Sequence, residues 1–83
     1  MVEIGSKVRV IKSEAELIQE LMSEWEMTRP EAIGTAKILR EEESTVIGVQ
    51  LLTDIDSVEK PFVSLMTHDG FMYIFHEEDV ETW

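Results

Sequence analysis

Carboxylates are the one chemically capable group this chain carries in quantity: 18 Asp and Glu stand against seven Lys and Arg. Ionised carboxylates can bind hard cations, move protons in pairs, or dock a basic surface. Spacing discriminates among these. Asp54-x-Asp56 opens like a calcium loop, but Leu52 to Lys60 lacks the further ligands, the glycine and the closing glutamate at the required offsets. His68 and His76 have acids nearby (Asp69, Glu77 and Asp79), yet there is no H-x-x-x-H pair and no cysteine to give metal-ligand spacing. Rim histidines are the simpler reading. No G-x-S-x-G elbow, no serine in a nucleophile motif and no glycine-rich phosphate loop occurs. The expectation is a protein that is not an enzyme and uses no metal or cofactor.

Docking remains, and the position of the charge speaks to it. Residues 1–40 carry six basic and seven acidic side chains, whereas residues 41–83 carry Lys60 alone against eleven acids. Nearly all of the net charge of -11 belongs to the second half. Such asymmetry argues against nucleic acid as a direct ligand and for a basic partner protein. The expected partner-binding surface comprises three clusters: Glu41, Glu42 and Glu43; Asp54, Asp56 and Glu59; and Glu77, Glu78, Asp79 and Glu81. The plain alternative is that these are solvated turns that keep a small domain soluble. A sharper version follows from charge density. Duplex DNA carries one charge per ~1.7 Å, so a domain roughly 30 Å across spans about 18 phosphates. One acidic face of this chain matches the fewer phosphates of one DNA face, which makes a DNA-mimicking inhibitor of a nucleic-acid-binding protein a reading to carry.

A second class of function rests on apolar residues. In Phe71-Met72-Tyr73-Ile74-Phe75 the odd positions point one way and the even ones the other, so both faces are apolar. A strand with one face in water should be polar on that face. Either a helix covers the second face or a partner does. Tyr73 and Trp25 are therefore added to the expected partner-binding residues, with Trp83 as a further candidate, because such side chains concentrate at binding hot spots. The alternative function is an adaptor or assembly subunit that binds a partner or peptide through this apolar strand face.

The elements that position these residues are short. Lys7-Val8-Arg9-Val10 alternates as a half-buried strand. Ser13 and Glu16 form an S-x-x-E capping box, followed by Leu17, Ile18, Leu21, Met22 and Trp25 on one stripe. This predicts a helix from about Glu14 to Met27. Pro30 restricts Arg29 and predicts a stop, with Thr28 and Glu31 capping one short turn that ends at Gly34. From Thr35 the strand period returns, with Ala36 and Ile38 on one side. Glu41–Ser44 reads as a charged turn. Thr45–Thr53 reads as the longest strand, with Ile47, Val49 and Leu51 on one face and Gly48 marking a bulge or bend. Asp54–Pro61 is a polar loop. Phe62–Thr67 and Phe71–Phe75 form a hairpin around Asp69-Gly70. His76–Asp79 is a tight turn, and Val80–Trp83 a last strand.

Residues 1–83 thus read as one domain of mainly β class: a small five-stranded barrel with one α-helix between strands 1 and 2, used as a lid. With 43% hydrophobic residues and no cysteine, net stability should be about 5 kcal/mol. Met1-Val2-Glu3-Ile4-Gly5 lacks signal-peptide character and no apolar run approaches ~20 residues. A soluble, cytoplasmic monomer or dimer is expected. Gly5-Ser6-Lys7-Val8-Arg9-Val10 and Phe75–Glu81 resemble the opening and closing strands of small SH3-like barrels, including a small photosystem I protein and the variable chain of ferredoxin–thioredoxin reductase. The order of Val8–Val10, Trp25, Gly34 and Phe71–Val80 is similar to that in the SH3-like repeats of Mind bomb/HERC2-type proteins. Their glycine–tryptophan pair and D-G-D-V strand do not occur here. The resemblance implies an SH3-like fold and no particular activity.

Overall fold

Two helices, where the sequence reading expects one, separate the first and second strands. The computed structural model describes residues 2–53, 56 and 58–83. Its elements are β1 (Lys7–Val10), α1 (Glu14–Glu24), α2 (Arg29–Glu41), β2 (Ser44–Thr53), β3 (Glu59–Met66), β4 (Met72–His76), a single 3-10 turn (Glu77–Asp79) and β5 (Val80–Thr82). The strands form one antiparallel sheet in the order β4-β3-β2-β1-β5. The sheet keeps β4 and β5 as free edges, so it is an open sheet rather than a closed barrel.

α1 begins as its capping box dictates, with Ser13 Oγ accepting from the Glu16 N–H at 3.3 Å. It ends earlier than the apolar stripe suggests. Trp25 is the C-cap and Glu26 takes a left-handed conformation (φ 53°). The Met27 N–H then donates back to the Leu21 carbonyl at 3.2 Å.

α2 is the main correction. Arg29–Glu41 is helical where a stop, a turn and a strand from Thr35 are expected. The cause is local. Thr28 and Glu31 form a reciprocal capping box, with Thr28 Oγ1 accepting from the Glu31 N–H and Glu31 Oε1 accepting from the Thr28 N–H. Proline in the first turn costs no intrahelical bond, so Pro30 starts this helix rather than breaking one. Ala32, Ala36 and Leu39 then fall on one stripe and are fully buried. Gly34 and Thr35 weaken the helix intrinsically, but tertiary burial of that stripe overrides propensity.

The core joins Leu17 and Leu21 of α1 and the α2 stripe to the inward side chains of the sheet: Val8, Val10, Val46, Val63, Leu65, Tyr73, Phe75 and Val80. β2 contains a bulge between Val46 and Gly48. One extra residue reverses the facing of everything beyond it. Val46 and Val49 therefore face inward, while Ile47 is exposed, contrary to the expected Ile47/Val49/Leu51 face. A further correction concerns the polar loop. Glu59–Pro61 belongs to β3, pairing with Leu51–Thr53, and only the segment before it connects the strands. Asp54 lies outside the described residues. Among the described residues no helix is long and apolar enough to cross a membrane.

Lys12 ties the layers together. Its ammonium reaches Glu20 of α1 and Asp79 of the 3-10 turn, the latter at 3.7 Å. Arg40 of α2 donates its Nε–H to the Lys12 carbonyl at 2.8 Å. Burial of the amine opposes its charge. The hydrogen bond to Glu20 and the nearby charges of Glu20, Asp79 and Glu16 outweigh that, and the Lys12 pKa rises above its ordinary value.

Candidate functional site

The α1–α2 connection and the β3–β4 hairpin face one another across an open groove of about 640 Å³. Each wall is fixed by its own chemistry. On one side, the left-handed turn at Glu26 leaves the Trp25 ring edge-on to Tyr73, with centroids 5.2 Å apart and planes at 74°. This T-shaped arrangement aligns the positive ring edge with the negative ring face. Pro30 and Ile38 of α2 continue that wall. On the other side, the hairpin turn is closed by the Thr67 N–H to the Phe71 carbonyl (2.9 Å) and the Gly70 N–H to the Thr67 carbonyl (3.0 Å). Gly70 sits at φ 89°, where a side chain would be strained. Thr67 Oγ1 also contacts Asp69 Oδ1 and donates to the Phe71 carbonyl. The turn so held sets Phe71, 61% exposed, at the groove, with Met72 at its edge where β4 begins.

The groove is apolar in its walls and acidic at its rim. Glu26, Glu31 and Asp69 line it, and among the described residues no lysine, arginine or histidine does. The hydrogen bonds from the Thr28 backbone, then from its side chain, hold the Glu31 carboxyl below its ordinary value. The carboxylate form is thereby favoured at the mouth of the groove.

The expected partner-binding residues divide accordingly. Trp25 and Tyr73 come together here, but Tyr73 is 7% exposed and belongs to the core, so its role as an exposed contact is corrected to that of a groove floor. Among the described acids, Glu41–Glu43 and Glu59 stand at opposite ends of β2. Glu41, Glu42 and Glu43 are exposed at the α2–β2 junction, where Glu42 meets His68 at 3.0 Å. Thr45 pairs with Met66, whereas Thr53 pairs with Glu59 at the other end of β2. Eight steps of strand between Thr45 and Thr53 span up to about 26 Å, which sets Glu59 at the far end of β2 from Glu43. Asp56, Glu59 and Glu78 are exposed, while Glu77 and Asp79 are half-buried. Asp79 is engaged by Lys12, and Glu81 is paired with Arg9 at 2.6 Å. His76 packs on Phe62 with centroids 4.3 Å apart, at the end of the hairpin away from the turn that carries His68.

Sequence reasoning missed Pro30, Ile38, Phe71 and the rim acids because it read residues 35–38 as strand. The Thr28–Glu31 cap was legible, but as the start of a short turn; the signal for a full helix was Pro30 in its first turn and Ala32, Ala36 and Leu39 at helical spacing beyond Gly34. Comparison of the chain with protein-family models, curated proteins and solved structures returns no match.

Proposed function

We propose that this chain is a non-catalytic binding module that docks a basic partner protein at the groove between the α1–α2 connection and the β3–β4 hairpin. An apolar side chain of the partner enters against Trp25, Ile38 and Phe71, and flanking lysines or arginines meet Glu26, Glu31 and Asp69. The observation that carries this reading is the composition of the groove, with aromatic and aliphatic walls under an all-acidic rim. The wider charge of -11 steers a basic partner toward it and speeds encounter. Separation of Glu41–Glu43 from Glu59 along β2, with Asp79 and Glu81 already engaged by Lys12 and Arg9, favours a partner held by one apolar anchor over one that reads a continuous line of phosphate-like charge. The strand order, with a 3-10 turn before the last strand, supports an SH3-like relationship for the fold.

The test uses synthetic peptides and the emission of Trp25 in a Trp83→Phe background. A leucine flanked by lysines should perturb Trp25, and the same leucine flanked by glutamates should not. Binding should weaken as salt screens the rim, and it should fall on Phe71→Ala and on Glu26→Lys with Asp69→Lys. Equal binding of both peptides, or indifference to the groove variants, would rule the reading out.

A second reading keeps the adaptor role but uses the outer face of the sheet. Met66, Met72 and Ile74 are exposed there, on adjacent strands in register. Docking on that face should respond little to salt and should fail on Ile74→Lys while leaving Trp25 emission unchanged.

A further inference from the structure

The longest strand has a neighbour on one side only for most of its length. β1 pairs with Ser44 and Thr45, and the Ser6–Val46 and Gly5–Val46 hydrogen bonds extend that contact by one residue. From Ile47 to Thr53, β2 pairs with β3 alone among the described residues. Its other edge presents unpaired backbone donors and acceptors, which template a further strand.

This edge lacks most devices that keep edges apart. Ser44–Thr53 contains no charged residue and no proline, in a chain that is 30% charged. Only the bulge at Val46/Gly48 disturbs it, and that lies at the start of the open part. Apolar exposure gathers on the same hairpin: Leu51 is 64% exposed, Leu52 38%, Ile47 37% and, at the tip, Val58 52%. Leu51 stands opposite Pro61 on the core side of the sheet, two pairs beyond Val49 and Val63, where the core ends.

We infer that this edge pairs with the same edge of a second copy of the chain, joining two five-stranded sheets into one continuous antiparallel sheet. Charge selects the occupant. A basic partner finds no carboxylate along Ser44–Thr53, whereas a second chain of charge -11 can approach closely only where acids are absent. The sequence is also self-complementary about a two-fold axis at Gln50, the centre of the open segment. That register sets Val49 against Leu51 of the second copy, Gly48 against Leu52, and Gln50 against Gln50. Each copy's exposed Leu51 then gains an apolar neighbour on the core side. An isologous contact of this kind closes as a dimer and leaves no further β2 edge for growth. The groove lies against β4, at the far side of the sheet, so this pairing stands apart from the docking of a partner.

Sedimentation velocity of the whole chain, over a concentration series at low and high salt, tests the inference. The expected result is a 9.6 kDa species that converts to one of about twice that mass as concentration rises. Salt should promote the conversion by screening repulsion between like-charged copies, the opposite of its effect on groove binding. Leu51→Lys and Leu52→Lys should each hold the chain as a monomer, and Met72→Lys on the free β4 edge should not. Backbone hydrogen exchange at residues 47–53 should slow with concentration in the parent chain and not in Leu51→Lys. A single monomeric species up to millimolar concentration overturns the inference. So does a dimer that survives both β2 variants, or one that is lost only with Met72→Lys.

Discussion

Thr28→Ala removes the hydroxyl that starts α2 and so tests whether residues 29–41 hold their helix through a local signal. In the native chain Thr28 Oγ1 accepts from the Glu31 N–H at 3.4 Å, and Glu31 Oε1 accepts from the Thr28 N–H at 3.0 Å. Alanine leaves the first of these donors unmet. The cost of losing such a cap is about 1 kcal/mol. Against a total near 5 kcal/mol that is a large share, and α2 carries Ala32, Ala36 and Leu39 into the one core. Loosening it should therefore lower the whole unfolding transition rather than fray one end. For a domain of this size, 1 kcal/mol corresponds to about 4–8 °C in Tm. Thermal unfolding followed by circular dichroism should show that decrease, and Thr28→Asp, which restores an acceptor, should recover most of it. The capping box also makes a pH prediction. Glu31 is held below its ordinary value of 4.5 by its Thr28 hydrogen bonds. Its contribution is thus present above 4.5 and is lost as pH falls through the lowered value. The difference in Tm between the parent chain and Glu31→Gln should shrink in that acid range. A Tm for Thr28→Ala within about 1 °C of the parent, a shift too small for a lost cap, would refute the reasoning and return residues 29–34 to the status of a simple turn.

Three further changes test other parts of the structure. Leu21→Ala empties a fully buried position, and the usual cost of about 2–5 kcal/mol should remove a large part of the stability and lower the urea midpoint accordingly. Lys12→Met strands Glu20 and Asp79, whose side chains are 20% and 22% exposed; a loss of about 1–2 kcal/mol, between surface and buried pairs, is expected in the same assay. Because the Lys12 pKa is raised, its stabilisation is complete below the ordinary 10.5 and is lost as pH climbs through the raised value, so parent and variant should converge in strong alkali. Ser44→Ala should raise stability by about 1 kcal/mol, since the Ser44 hydroxyl is buried without a hydrogen-bond partner among the described residues and alanine abolishes that desolvation cost; an unchanged or lower Tm would count against it.

The chain's own residues determined β1, the start of α1, the β3–β4 hairpin and the closing turn, because each rests on local chemistry: strand alternation in Lys7–Val10, the Ser13–Glu16 box, Asp69-Gly70, and the acidic run before Val80. The Gly48 irregularity was legible for the same reason, as a residue without a side chain in a strand. Composition likewise fixed where the charge lies along the chain. Three things came only from tertiary structure. Residues 35–38 have ambiguous periodicity, and burial of Ala32, Ala36 and Leu39 against β1 and the rest of the core decided for helix. The facing of Ile47, Val49 and Leu51 depends on one extra residue in the pairing of β2 with β3, which no single strand's pattern reveals. The groove exists because α1 ends at Trp25 and α2 starts at Thr28, bringing residues 25–38 to the hairpin at residues 67–73. Charges are additive along a sequence, but a surface is made by distance. Glu41–Glu43 and Glu59 lie close in sequence terms to the same two strands, yet the antiparallel register of β2 and β3 sets them at opposite ends of β2.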